Sequence, residues 1–166
     1  MVRIRPAVAD DIDAVISLAS LVPEAPLWSQ AVYEGFRSPI DPLKRLFVAE
    51  SEGRIVGFLA CQIVAGTSEL QSIAVEPSVR QRGVGKALLA TLLEWLRENR
   101  IARVELEVRA GNTTAIDFYT RAGFLQDGLR RNYYQHPQED AVLMCMVLNP
   151  APNTPLPGGK LSPKSD

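Results

Sequence analysis

The stretch IAVEPSVRQRGVGKALL, residues 73–89, decides how this chain is read. Three apolar residues, Ile73 to Val75, stop at Glu76-Pro77, and a basic turn follows. From Gly83 onward Val84, Leu88, Leu92, Trp95 and Leu96 recur at helical spacing. A strand that feeds a helix through such a turn leaves the first N–H groups of the helix unpaired, at the positive end of its dipole. That is an anion site, placed at the carboxyl end of a strand, where α/β proteins bind ligands. Glycine at 83 and 85 lets the backbone approach phosphate oxygens where a Cβ would intrude. Arg80, Arg82 and Lys86 add charge at the rim. Two common phosphate fingerprints do not fit: Leu88 holds the place of the third glycine of the dinucleotide pattern, and Ala87 follows the Gly-Lys pair where the P-loop needs Ser or Thr.

Outward from this turn the elements alternate. Val2 to Arg5 predicts a short strand, and Asp10 or Asp11 a cap for a helix to about Ser20. Pro23, Pro26, Pro39 and Pro42 confine the next region to loops around a short helix, Ser29 to Phe36. Leu46–Glu50 and Ile55–Val64 read as a hairpin turning at Glu52-Gly53, and Leu70–Val75 as a third strand. After the Gly83–Asn99 helix come a strand at Val104–Arg109, a helix capped by Asn112 and ended by Gly123, and two closing strands joined by a polar hairpin. The order predicts a mixed α/β sheet with helices on its faces, one domain over residues 1–148. The Pro-, Gly- and Ser-rich segment 149–166 reads as a disordered tail.

The chain of 166 residues is 46% apolar and 22% charged, with a formal net charge of -1. That is the balance of a soluble globular domain and lacks the basic face that sequence-independent nucleic-acid binding requires. Neither a signal peptide nor a membrane span is legible, so the expectation is a cytoplasmic protein without membrane contact. Cys61 and Cys145 lie in apolar runs and are expected in the core. His136, the only histidine, falls in the polar hairpin and is expected to be exposed. No metal-ligand spacing and no Ser-His-Asp or Cys-His pattern is present.

A second constellation, LEVRAGNTTAIDFYTRAGF at 106–124, carries candidate chemistry. Glu105 and Glu107 share one face of a strand while Leu106 and Val108 share the other. Asn112 opens the next helix and Tyr119 lies about two turns along it. Each has a plainer reading: Glu105 as solvent face, Tyr119 as core packing, Asn112 as a helix cap.

The first stretch resembles motif A of the GNAT acyl-CoA N-acetyltransferases, [RQ]-x-x-G-x-[GA] after a short strand, through Arg80, Gly83 and Gly85. The second resembles the RimI type within that group, the ribosomal-protein-alanine N-acetyltransferases. That type carries L-E-V-R, N-x-x-A-I-x-x-Y and G-F, as do residues 106–124 here. RRNYY at 130–134, EDAVLM at 139–144 and, loosely, LWS at 27–29 match the same type, so the resemblance covers roughly residues 3–148. It implies the GNAT fold, a mostly antiparallel central sheet with helices on both faces, and acetyl-CoA as cosubstrate with no metal. It further implies that Ile73, Ala74 and Val75 pair with the pantetheine arm. Gln81, Arg82, Gly83, Val84, Gly85 and Lys86 would hold the pyrophosphate, with Asn112 and Tyr119 completing the coenzyme site. Glu107 would be the base and Tyr119 the acid.

The chemistry to be served is direct attack of a neutral amine on a thioester, with no acyl-enzyme. An α-amine starts about 3.5 kcal/mol closer to its neutral form than a lysine does. One carboxylate serves as base, and a phenol can protonate the leaving thiolate. Glu69, on the earlier strand, is the rival base. Trp28, Tyr133 and Tyr134, with Glu69, are candidates to contact the acceptor, although aromatics beside a hairpin also serve as packing. Two features depart from the type: Ser72 stands where asparagine is usual, and the 134–139 hairpin lacks the Gly-Arg that often precedes Glu-Asp. The resemblance implies transfer to a protein N-terminus, a ribosomal-protein alanine in the nearest activity, by a monomer or weak dimer. Transfer to lysine or a small amine, and an acyl-CoA-binding regulatory module without turnover, are the alternatives.

Overall fold

A computed structural model describes residues 1–37 and 41–148; the tail expected from residue 149 lies outside the described residues. The strands are β1 (Val2–Pro6), β2 (Lys44–Ser51), β3 (Arg54–Val64), β4 (Thr67–Val75), β5 (Arg103–Arg109), β6 (Leu125–Tyr134) and β7 (Glu139–Val147). They form one sheet in the order β1-β2-β3-β4-β5-β7-β6. Every neighbouring pair is antiparallel except β4 and β5. The helices are α1 (Ile12–Leu21), α2 (Gln30–Phe36), α3 (Val84–Glu98) and α4 (Thr113–Ala122). The mixed sheet read from the sequence is the one observed.

The sheet separates two cores. On one face α1 and α2 bury Ile12, Val15, Tyr33 and Phe36 against Leu46, Val48, Phe58, Ala60 and Ala74. On the other, Val84, Leu88, Leu92 and Leu96 of α3 and Tyr119 of α4 meet Phe47, Leu59, Leu70, Leu106 and Val108. Burying one such leucine contributes about 1.5–3 kcal/mol, so the α3 stripe fixes that helix on the sheet and its first turn at the end of β4.

The feature that shapes the site is one extra residue in β4. Cys61 pairs with Leu70 and Ala60 with Ser72, so Gln71 has no partner on β3. This bulge turns the strand over. Leu70 and Ile73, three residues apart, both join the α3 side, while Ala74 joins the α1 side. Pairing between β4 and β5 covers only Ser68↔Val104 and Glu69↔Glu105. Beyond the bulge the two strands separate.

Two local expectations need correction. Asp11 precedes α1, yet its carboxylate does not cap that helix. It accepts instead from the Val8 N–H at 2.8 Å and takes both terminal nitrogens of Arg5, at 2.7 and 3.0 Å. A salt bridge to β1 outcompetes the cap. Cys145 is only partly buried, because β7 turns it away from the α3 core that holds Val142 and Met144; Cys61 is buried as expected.

Candidate active site

The basic turn has the geometry of an anion cradle. One 3-10 turn, Pro77–Val79, follows β4, and Arg80 returns its Nε to the Val75 carbonyl at 3.3 Å. Gln81 and Gly83 both adopt positive φ, +65° and +81°. No side chain caps α3, and its first bond runs from the Ala87 N–H to the Gly83 carbonyl at 3.0 Å. The N–H groups ahead of Ala87 therefore open outward, with Arg82 and Lys86 exposed around them. This donor set suits a pyrophosphate.

The protein's own atoms add a conformational reason for one of the two glycines. A Cβ on Gly83 would meet nothing within 4 Å; its left-handed φ is what demands glycine. A Cβ on Gly85 would touch Phe118 and Val75 at ordinary distances of 3.5 and 3.7 Å, so packing alone does not require glycine there. Ile73, Ala74 and Val75 are bonded on one edge to Leu59, Phe58 and Gly57, and past Glu69 no β5 partner covers the other edge.

A cleft of about 820 Å³ opens where β4 and β5 part. It gathers Trp28, Glu69, Glu107, Tyr133 and Tyr134, the residues expected on the acceptor side, and reaches through the gap to Leu70, Leu106 and Met144. Asn112 and Tyr119 do not line it. Also in its wall are Glu24, Glu105, Arg109, Asp127 and Arg130, so five carboxylates face two arginines. Glu105 is not simply solvent face, because Arg103 bridges it and Asp127, at 2.7 Å each. Glu107 meets Arg130 at 3.4 Å, and Glu69 accepts from the Gln71 amide at 3.1 Å. Among the described residues Glu69 has no ion-pair partner. Such a cleft favours a cationic guest.

Two devices that place the walls were not read from the sequence. Buried Tyr33 donates its hydroxyl to the Pro26 carbonyl at 3.0 Å, and Trp28 stacks on Phe36 at 5.2 Å, which fixes the proline loop. The signal was present in Ser29, which caps α2, and in Tyr33 and Phe36 one turn apart. In β6, Arg130 pairs with Ala141 and Tyr134 with Glu139, so three residues oppose Asp140. Asp140 Oδ1 accepts from the Asn132 N–H at 2.9 Å, and Tyr133 is displayed toward the cleft. Facing Glu107 holds the Tyr133 phenol above its ordinary pKa. Burial, then Glu107, does the same for Tyr134.

Tyr119 lies in the α3-side core between Phe118 and Phe124, with ring centroids 5.2 and 5.5 Å away. Burial, aided by Tyr134, pushes its phenol far above the usual range, so it stays protonated at neutral pH. Asn112 accepts from the Ala115 N–H at 3.2 Å and caps α4. His136 is exposed, and burial raises the Cys61 thiol to about 12, which leaves it without nucleophilic thiolate. Among the described residues no cluster of three metal-ligating side chains occurs, and no helix is long and apolar enough to cross a membrane.

Comparison with known proteins gives a consistent set of likenesses. The profile of the acetyltransferase (GNAT) family matches residues 13–124. The [ribosomal protein bS18]-alanine N-acetyltransferase of Escherichia coli (strain K12) is 36% identical over 105 residues, 62% of this chain and 71% of the relative. The crystal structure of the ribosomal-protein-S18-alanine N-acetyltransferase from Escherichia coli superposes with a TM-score of 0.80 at 29% identity, over 94% of this chain and all of that one. Ard1 from Thermoplasma volcanium gives a TM-score of 0.80 at 28% identity, over 89% and 98% of the two chains.

Proposed function

The chain belongs to the acetyltransferase (GNAT) family and is an acetyl-CoA-dependent N-acetyltransferase, and from that premise we propose that its acceptor is the α-amine of a protein N-terminus. The observation that carries this reading is the cleft of five carboxylates and three aromatic rings on the opposite side of the sheet from α3. An N-terminal ammonium followed by basic residues suits that charge, and an extended chain can lie between the Trp28 wall and the Tyr133–Tyr134 wall. The bacterial relative is named for the alanine terminus of a ribosomal protein, which we take as the substrate class here.

Bound acetyl-CoA supplies the acyl thioester. The N–H groups opening α3, with Arg82 and Lys86, hold its phosphates, and the free edge of Ile73–Val75 receives the pantetheine amides in the manner of an added strand. Glu107 accepts the proton of the incoming ammonium, directly or through one water, so that the neutral amine attacks the carbonyl. Tyr119 donates its proton to the departing sulfur; a buried, protonated phenol is suited to that task. The N–C bond forms as the C–S bond breaks; on becoming an amide the nitrogen gives up a second proton, which balances the one that Tyr119 hands to the sulfur, and Glu107 and the Tyr119 phenol regain their resting protonation through solvent.

Intact-mass measurement on matched peptides tests the proposal. A peptide with a free N-terminal alanine followed by basic residues should gain one acetyl group, while its terminally blocked, lysine-bearing counterpart should not. Acetylation of the blocked peptide instead would move the acceptor to lysine. No gain by either peptide, with coenzyme A still bound, would favour small amines or a module without turnover.

A further inference from the structure

The hairpin that carries Tyr134 has little to hold it. Gln135, His136, Pro137 and Gln138 are exposed, and only Tyr134 and Glu139, at its two ends, are partly buried. Its attachment is polar and converges on one carboxylate. Glu139 Oε2 accepts from the Gly111 N–H, and Glu139 Oε1 lies 3.3 Å from Arg109. Arg109 also donates to the Pro137 carbonyl at 3.2 Å, and its guanidinium lies 4.3 Å from the centre of the Tyr134 ring. Beside them the Ala110 N–H donates to the Asp140 carbonyl at 2.9 Å.

At Gly111 a side chain would press on this contact and displace the carboxylate. The φ of Gly111 lies outside the left-handed region, so the turn itself does not require glycine; a Cβ there would stand 2.6 Å from Glu139 Oε2. The glycine makes room for the carboxylate. The next residue is Asn112, which opens the helix that carries Tyr119.

We infer that Glu139 is a positioning residue: it ties the acceptor wall formed by Arg109 and Tyr134 to the loop that opens α4, and so sets the acceptor amine against the cosubstrate side of the gap. This rests on the acceptor reading given above. An ordinary exposed ion pair would be worth little, but this carboxylate has a backbone N–H as its second donor and reinforces the Ala110–Asp140 and Arg109–Pro137 bonds that carry the β5–β7 ladder into the loop.

The test uses Glu139→Ala, Glu139→Gln and Gly111→Ala, the last of which displaces the carboxylate without removing it. Glu139→Ala and Gly111→Ala should lower kcat for the alanine peptide about 10-fold or more, while affinity for coenzyme A, held at the α3 turn, changes less than about 2-fold. Glu139→Gln should fall between, because its amide oxygen still accepts from Gly111 but no longer pairs with Arg109. Amide hydrogen exchange at residues 110–113 and 131–135 should accelerate in Glu139→Ala. Wild-type kcat in both Glu139→Ala and Gly111→Ala overturns the inference, as does a loss of coenzyme A affinity equal to the loss of kcat. If the wild type acetylates no peptide, the acceptor reading fails, and the exchange measurement alone decides whether Glu139 fixes the loop.

Discussion

Glu107 and Tyr119 stand on opposite faces of the sheet, on either side of the opening between β4 and β5. Glu107 alternates with Leu106 and Val108, which enter the α3 core, and so faces the acidic cleft; Tyr119 lies within that core. Tyr134 is close enough to both to feel Glu107 and to raise Tyr119. A base and an acid so separated serve two reactants that arrive from different sides.

Replacing Tyr119 by Phe removes one oxygen that donates to no acceptor among the described residues. The fold and coenzyme A binding should survive, and kcat should fall about 10²–10⁴-fold if the phenol is the acid. Steady-state kinetics beside calorimetric coenzyme A binding check this; unchanged turnover removes Tyr119 from the mechanism.

Glu107→Gln and Glu69→Gln separate the two carboxylates. We expect the first to lower kcat about 10²–10⁴-fold and the second to act mainly on peptide KM. A reversal of the two patterns in kinetic assays makes Glu69 the base.

At the α3 turn, Gly83→Ala forces a side chain into φ +81° and should cost about 1–2 kcal/mol of stability, read as a lowered Tm. Lys86→Ala leaves the backbone intact. It should weaken coenzyme A binding about 5-fold, as expected for losing roughly 1 kcal/mol, and should flatten the salt dependence of that affinity.

Arg5 holds the Asp11 carboxyl below its ordinary 3.8. The folded state thus binds its proton less readily than the unfolded chain, and this contribution is present above pH 3.8 and lost as pH falls through the folded value. Asp11→Asn should therefore destabilise by about 1.5–3 kcal/mol near neutrality, with the difference shrinking in acid. Denaturant titrations across that range check it.

At high pH the sign reverses. Cys61, raised from 9.0 to about 12, and Tyr119, raised from 10.0, keep their protons in the fold when the unfolded chain has lost them. Their contribution is complete below pH 9 and declines as pH rises toward 12. Thermal melts should show Cys61→Ala losing less Tm than the wild type over that interval, relative to each protein's value near neutrality.

The elements around the α3 turn were legible because periodicity and breakers agree there: the α3 stripe, Pro77 after β4, Asn112 and Gly123 bounding α4. The acceptor wall was legible as residue types, Trp28, Glu69, Glu107, Tyr133 and Tyr134, and less as geometry. What brings them together is long-range: the Tyr33–Pro26 bond, the β6 bulge held by Asp140, and the Arg103 bridge that draws Glu105 and Asp127 into the cleft. Arg103 and Glu105, two apart on β5, and Tyr33 and Phe36, one turn apart on α2, leave a local mark; the partners Pro26, Asp127 and Asn132 that complete these contacts do not. Asp11 misled for a related reason, since a cap is a local signal and its partner Arg5 sits on another element.

The unpaired Gln71 bears on how such a site can arise. A substitution there leaves the path of the chain unchanged. Deleting the residue would leave Leu70, Ser72, Ile73 and Ala74 opposite Cys61, Ala60, Leu59 and Phe58 in an unbroken ladder, each on the face it already occupies. What it would remove is the local bend and added twist of the bulge, past which β4 leaves β5. The opening is therefore a property of chain length at one position, so insertions and deletions in β4, rather than changes of residue type, separate sheets that can hold two reactants from sheets that cannot.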